Sequence, residues 1–133
     1  MQVRTTMKVA IDIDGCISEY PSFFSILTKA LISSDNIEIF ILSARNNSNH
    51  SKKKTIQELK ELGIFYDHLI LTDDKQNFIK DNTIDLFIDN QIENFQQLNS
   101  DVCCLLIREE GNYCYKSFRF LGSKKTTKMI DLL

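Results

Sequence analysis

Proline and glycine are scarce in this chain, with one Pro and four Gly among 133 residues. So few backbone breakers leave no flexible linker, and neither an internal repeat nor a low-complexity segment interrupts the sequence. Long apolar runs are missing too. None approaches the ~20 residues that span a bilayer, and Met1 to Lys8 lacks the apolar core of a secretory signal, so a soluble, cytoplasmic protein is expected. Charge of one sign is not in excess: 16 basic side chains face 18 acidic ones, for a net charge of -2. That balance offers no general basic field to nucleic acid or to an anionic membrane, so any nucleic-acid contact is local and membrane association is not expected. The cysteines Cys16, Cys103, Cys104 and Cys114 form neither a CxxC pair nor zinc-site spacings, which sets metal-thiolate chemistry aside. Cys103 and Cys104 sit in the apolar stretch Val102 to Ile107 and read as small hydrophobes. His50 and His68 form no cluster with carboxylates.

What is present fits a single domain spanning residues 1-133, with 43% hydrophobic residues to fill one core. Short apolar runs at Lys8 to Ile13, Glu38 to Leu42, His68 to Leu71, Ile84 to Ile88 and Val102 to Ile107 read as strands. Phe23 to Ile32 and Ser51 to Leu62 carry helical apolar spacing, with Gly63 as a C-terminal cap. Asp73 or Asp74 caps a short helix through Ile79, and Asn90 or Gln91 opens another through Leu98. The aromatic-rich segment Arg108 to Gly122 reads as an irregular return or a hairpin, and Lys124 to Leu133 as a closing helix. This alternation predicts an α/β fold: a doubly wound, Rossmann-like three-layer sandwich on a mainly parallel five-stranded sheet. Ligands of such sheets bind at the carboxyl ends of the strands, where strand order reverses.

The residues at those ends carry chemistry. Val9-Ala10-Ile11-Asp12-Ile13-Asp14-Gly15 ends an apolar run in two carboxylates one residue apart. In an extended strand both point to the same side, and their repulsion calls for a hard divalent cation, usually Mg2+. Gly15 permits a sharp turn, and an ordinary Asp-Gly turn is the plain alternative. Ser43, Ala44 and Arg45 follow the second strand, Lys75 precedes the fourth, and Asp89 and Asn90 follow it.

In this order the clusters resemble the haloacid dehalogenase-like superfamily of phosphohydrolases over nearly the whole chain. The resemblance implies that Asp12 attacks phosphorus to form an aspartyl-phosphate. It implies that Asp14 is the general acid-base and that its backbone carbonyl ligates Mg2+. Ser43 matches the hydroxyl that hydrogen-bonds the transferring phosphoryl group, Lys75 the lysine that neutralises the phosphoaspartate, and Asp89 a metal-binding acid beside Asp12 and Asp14. Lys80 competes with Lys75. Arg45 and the following Asn46 are substrate-binding candidates, Arg45 as a bidentate phosphate grip or a solvated side chain.

Two positions depart from the family's pattern. Asn90 stands where a second acid is frequent, which weakens metal binding, and Glu93 is a possible substitute through water. Cys16 replaces a frequent threonine, and the neighbouring carboxylates disfavour its thiolate. There is no room for an inserted cap domain, so an open pocket and a phosphorylated small molecule or macromolecular end are expected. The stretch Arg108 to Tyr113 resembles a loop of small members likened to nucleotidases. Tyr113, Tyr115 and Phe118 read as packing rather than base-stacking residues, and Lys52-Lys53-Lys54 as a solvated face. The function expected is a Mg2+-dependent phosphomonoesterase, with a catalytically idle or signalling module that binds a phosphorylated partner as the alternative. Phosphotransfer and hydrolysis are not separable from sequence.

Overall fold

A computed structural model describes residues 6–122, so the helix expected at Lys124 to Leu133 lies outside the described residues. Five strands, β1 (Met7–Ile11), β2 (Ile37–Ser43), β3 (His68–Leu71), β4 (Leu86–Asp89) and β5 (Cys103–Leu106), form one sheet in the order β3-β2-β1-β4-β5. Every neighbouring pair is parallel, with Ala10 opposite both Phe40 and Phe87 at the centre. The chain builds outward from β1 in one direction and then returns to its other side, so the order reverses between β1 and β4. That switch point fixes where the site forms.

The crossovers follow local signals. Helix α1 (Pro21–Ile32) begins on proline, whose missing N–H costs nothing in a first turn. Helix α2 (Asn49–Glu61) is capped by Ser48, whose side chain accepts from Ser51 N at 3.2 Å. It ends as expected at Gly63, which takes φ +72° while Ile64 N donates back to Leu59 O at 3.0 Å. Asp74 caps α3 (Lys75–Asp81), accepting from Asn77 N at 3.3 Å.

Alternate strand residues feed two cores, one on each face of the sheet. Val9, Ile11, Ile39 and Ile41 pack with Phe24 and Leu59 on the α1/α2 face. Ala10, Phe40, Leu42 and Phe87 pack with Ile79 and Ile84 on the α3 face. The doubly wound three-layer architecture is thus the observed one, and among the described residues no cap domain is inserted. No helix among them is long and apolar enough to cross a membrane.

Three expectations are corrected. No α-helix runs from Asn90 or Gln91 to Leu98; a 3-10 turn over Ile92–Phe95 makes the crossover instead. Polar side chains compete with helical bonding there: Asn94 donates to Asp89 and Gln97 N donates to Gln76 Oε1 at 2.6 Å. Strand β1 stops at Ile11, two residues early, because the chain enters the tight turn Ile13–Ile17, which contains Asp14, directly after Asp12. Cys103 is exposed rather than buried, since β5 is an edge strand with alternating burial. After β5 the chain returns as the hairpin β6 (Tyr113–Cys114) and β7 (Arg119–Phe120). Tyr113 packs against Tyr115 and Phe120 with Arg108 over its ring, while Tyr115 and Phe118 are exposed.

Candidate active site

Where β1 ends, Asp12 keeps an extended backbone and its N–H donates to Ile88 O of β4 at 3.0 Å. That bond carries the ladder one residue past the strand and sets the Asp12 carboxylate beside that of Asp89, the last residue of β4. Lys75, the first residue of α3, reaches between them: its Nζ donates to Asp12 Oδ1 at 2.7 Å and to Asp89 Oδ2 at 2.9 Å. All three side chains are buried. Lys80, the competing candidate, is exposed on the outer side of α3.

Asp89 is held further by Gln91 N on Oδ1 at 2.8 Å and by Asn94 Nδ2 on Oδ2 at 3.1 Å. Burial first, and then the charge of Asp89, pushes the Asp12 carboxyl up to about 7 against the pull of Lys75. Burial also works against the charge on Lys75, but Asp12 and Asp89 outweigh it and hold the ammonium above its usual range. Burial, then Asp12 and Asp89, drives the Cys16 thiol far upward, so it stays protonated.

The carboxylates of Asp12 and Asp14 do not converge on one point. Asp14 turns outward, 63% exposed, and forms a bidentate pair with Arg45 at 2.8 and 3.0 Å. The hydrogen bonds from Arg45 hold the Asp14 carboxyl below its ordinary range. The other edge of that guanidinium donates to Glu58 Oε2 at 2.6 Å, so Arg45 is clamped between β1's turn and α2. It is neither a solvated side chain nor a free phosphate grip. Ser43 is fully buried at the end of β2, where its Oγ accepts from Arg45 N at 3.2 Å. Asn46 is exposed, with its Oδ1 accepting from Ser48 N at 2.7 Å.

What the turn does bring inward is the main-chain carbonyl of Asp14. The end of the Asn90 side chain lies 3.0 Å from Asp14 O, 3.0 Å from Asp12 Oδ2 and 3.3 Å from Asp89 Oδ1. Gly15, at φ +85°, makes this approach possible: a Cβ there would stand 2.0 Å from Asn90 Nδ2. Among the described residues no group of three or more His, Cys, Asp or Glu side chains is arranged to hold a metal. What gathers about the end of the Asn90 side chain is three oxygens, two from carboxylates and one from the main chain, and oxygen atoms of this kind suit a hard cation such as Mg2+.

Above this floor lies an open cleft of about 830 Å3, lined by Asp12, Asp14, Arg45 and Lys75 on one side and by the 3-10 turn on the other. Neither Ser43 nor Asn46 lines it. Glu93 does, close against Gly122. Lys52, Lys53 and Lys54 are exposed on α2.

Three contributors were not singled out from sequence. Glu58 has no local signal, since its partner lies 13 residues away. Glu109 and Asn112 form a reciprocal cap in the loop after β5, a pairing whose three-residue spacing is visible in sequence. Asn112 is buried and donates to Asn90 O and to Ile107 O, both at 2.7 Å, tying this loop to the ends of β4 and β5.

No family model and no curated protein matches this chain. A chain in the solved Pnkp1/Rnl/Hen1 complex is similar in fold, with a TM-score of 0.54 at 18% identity over 80% of this chain. The present chain spans 48% of that neighbour's length. At this identity the likeness shows the fold alone.

Proposed function

We propose that this chain is a Mg2+-dependent phosphomonoesterase, a member of the haloacid dehalogenase-like superfamily without a cap, acting through an aspartyl-phosphate on Asp12. The observation that carries the reading is the buried Lys75 bridging Asp12 and Asp89 beside the converging oxygens of Asp12, Asp14 and Asp89, on the floor of an open cleft. Phosphoryl transfer needs positioning and charge neutralisation above all. Bound Mg2+, held by Asp12, the Asp14 carbonyl and Asp89, would supply positive charge to the phosphoryl oxygens.

The residues divide the work as follows. The Asp12 carboxylate forms a bond to phosphorus as the ester P–O bond breaks, and the departing oxygen takes a proton from Asp14. Water then attacks the phosphorus, gives its proton to Asp14, and the Asp12–phosphorus bond breaks to release phosphate. Lys75 neutralises Asp12 before attack and the phosphoaspartate after it. For Asp14 to carry a proton, Arg45 must loosen its bidentate hold, and an incoming phosphate dianion is a competitor for the same guanidinium. The likeness to the chain of the Pnkp1/Rnl/Hen1 complex carries no substrate, so a phosphorylated small molecule and a macromolecular phosphate end are both to be screened.

The Asp14–Arg45 pair favours a second reading: a module that binds phosphate, or is phosphorylated, without turnover. Phosphate release from an aryl phosphate separates the two. Metal-dependent release, abolished by Asp12→Asn in protein shown to be folded, is expected for the phosphatase. Stable phosphorylation of Asp12 by a small phosphodonor, without release, supports the module instead.

A further inference from the structure

We infer that the hairpin of β6 and β7 is a docking surface for single-stranded nucleic acid, its exposed rings stacking on bases and its cations meeting the strand's phosphates. The inference rests on the reading above in naming a phosphorylated strand end as what the cleft receives, but the binding itself needs neither Mg2+ nor turnover.

The sequence concentrates the required side chains. From Tyr113 to Lys128 there are five basic residues, four aromatic ones and no acidic one, in a chain whose net charge is -2. A local charge of this sign attracts a polyanion that the chain as a whole does not. The described part of the stretch is the hairpin. Tyr113 lies opposite Phe120, so these two and Tyr115 share one face. Their rings meet edge to face, with centroids 4.9 Å apart for Tyr113 and Tyr115 and 5.1 Å apart for Tyr113 and Phe120. The Arg108 guanidinium stands 5.0 and 5.4 Å from the two tyrosine ring centres.

Tyr113 is the inner ring of this group, and packing accounts for it. Packing does not account for the others: Tyr115 is 60% exposed, Phe120 40% and Phe118 77%. Phe118 also takes φ +58°, a left-handed conformation that costs a bulky side chain energy and that glycine or asparagine would adopt more readily. A strained phenylalanine held in water contributes little to the fold. Leu121 is buried, so every exposed large apolar side chain of the hairpin is aromatic. Flat rings interleaved with Lys116 and Arg119 match the alternation of bases and phosphates in a single strand, whereas a membrane surface calls for an amphipathic helix with a broad apolar face.

Both ends of the hairpin are rooted at the cleft. Gly122, which lines the cleft, follows Phe120 by two residues, at most about 7 Å of chain. Asn112, directly before β6, donates to Asn90 O beside Asp89. No aromatic residue is among the described residues that line the cleft, so a base finds its stacking partner on the hairpin while its phosphate reaches the floor.

The test is fluorescence anisotropy of a labelled oligothymidylate of about 15 nucleotides, titrated with the full chain in chelator, with melting followed by circular dichroism as the folding control. Wild type is expected to bind it more tightly than a duplex of the same length, whose bases are already stacked. Tyr115→Ala weakens binding at least fivefold. Phe118→Gly does the same while melting no lower than wild type, because glycine accepts the φ of +58°. Replacing Lys116 and Arg119 together with alanine flattens the slope of log affinity against log salt by about 1.4. Wild type that leaves the anisotropy unchanged up to about 100 μM protein would overturn the inference. So would binding that survives these substitutions and is lost on replacing Lys52, Lys53 and Lys54, or binding to anionic lipid vesicles in place of the oligonucleotide. Phosphate release from an aryl phosphate, measured alongside, separates the two readings. Release without oligonucleotide binding refutes this inference alone, and binding without release refutes the phosphatase reading while the docking surface stands.

Discussion

Replacing Lys75 with methionine isolates the charge logic of the site. Methionine keeps much of the length and apolar volume of the lysine stem, so the substitution removes the ammonium and little else. That ammonium lies between Asp12 and Asp89 at 2.7 and 2.9 Å with 6% of its side chain exposed. Without it two buried carboxylates face each other. Breaking a buried ion pair by removing one partner costs about 3–5 kcal/mol. For a chain of this length that is on the order of 10–20 °C in melting midpoint. The pH dependence fixes the sign. Asp12 sits at about 7, against an ordinary 3.8, so its relative contribution to stability is complete at low pH and is lost as pH rises through the folded value. Deleting Lys75 removes the group that pulls Asp12 down, so the loss reaches further into the alkaline range. The deficit of Lys75→Met is therefore largest at about pH 8 and shrinks at about pH 5, where Asp12 is protonated in both proteins. Urea unfolding in chelator, followed by far-UV circular dichroism across that range, reads it directly. A deficit below about 1 kcal/mol at the alkaline end, or one that does not change with pH, refutes the charge assignment.

Gly15→Ala drives a Cβ into the Asn90 amide at a backbone φ of +85°, so about 2–4 kcal/mol of stability and at least tenfold in Mg2+ affinity are expected to go together, checked by melting and calorimetry. Asn112→Ala removes two donated bonds and one accepted bond in a buried position, for a loss of about 2–4 kcal/mol in chemical unfolding. Arg45→Gln releases Asp14, whose carboxyl is held low by that guanidinium. Its folded value rises toward 3.8, and the limb of the pH–rate profile on which activity falls with rising pH moves to higher pH. The stabilisation from the pair is present above the ordinary carboxyl value and disappears as pH falls through the lowered one, so the acid-unfolding curves of wild type and variant converge at low pH.

The sheet was legible because its central strands are buried on both faces and its strands are written as short apolar runs with polar residues at their carboxyl ends. Asp12, Ser43 and Asp89 could be placed at one edge from that pattern alone. The segment after Asp89 misled for an identifiable reason. Ile92, Phe95 and Leu98 have helical spacing, yet three apolar positions among Asn and Gln side chains that bond elsewhere do not hold a helix. A 3-10 turn packs the partly buried Phe95 edge-on against Phe87 instead. The direction of the Asp14 carboxylate was not readable either, because it is set by an arginine 31 residues away. The same holds for Asn90. As an isolated letter it marks a missing acid, and only the fold sets the end of its side chain against Asp12, Asp14 and Asp89 while Asn112, from the loop after β5, holds its carbonyl.

That loop also sets a timetable for synthesis. Asp12 emerges early, whereas Asn112, which clamps the carbonyl of Asn90, is made 100 residues later. At a translation rate of roughly 5–20 residues per second, the nascent chain carries its nucleophile candidate for about 5–20 s before the clamp exists. During that interval β1 has neither β4 beside it nor Lys75 beneath it until those segments arrive in turn. The Lys75 bridge and the loop that braces the end of β4 are therefore completed in that sequence. An incomplete chain cannot present the finished floor of the cleft.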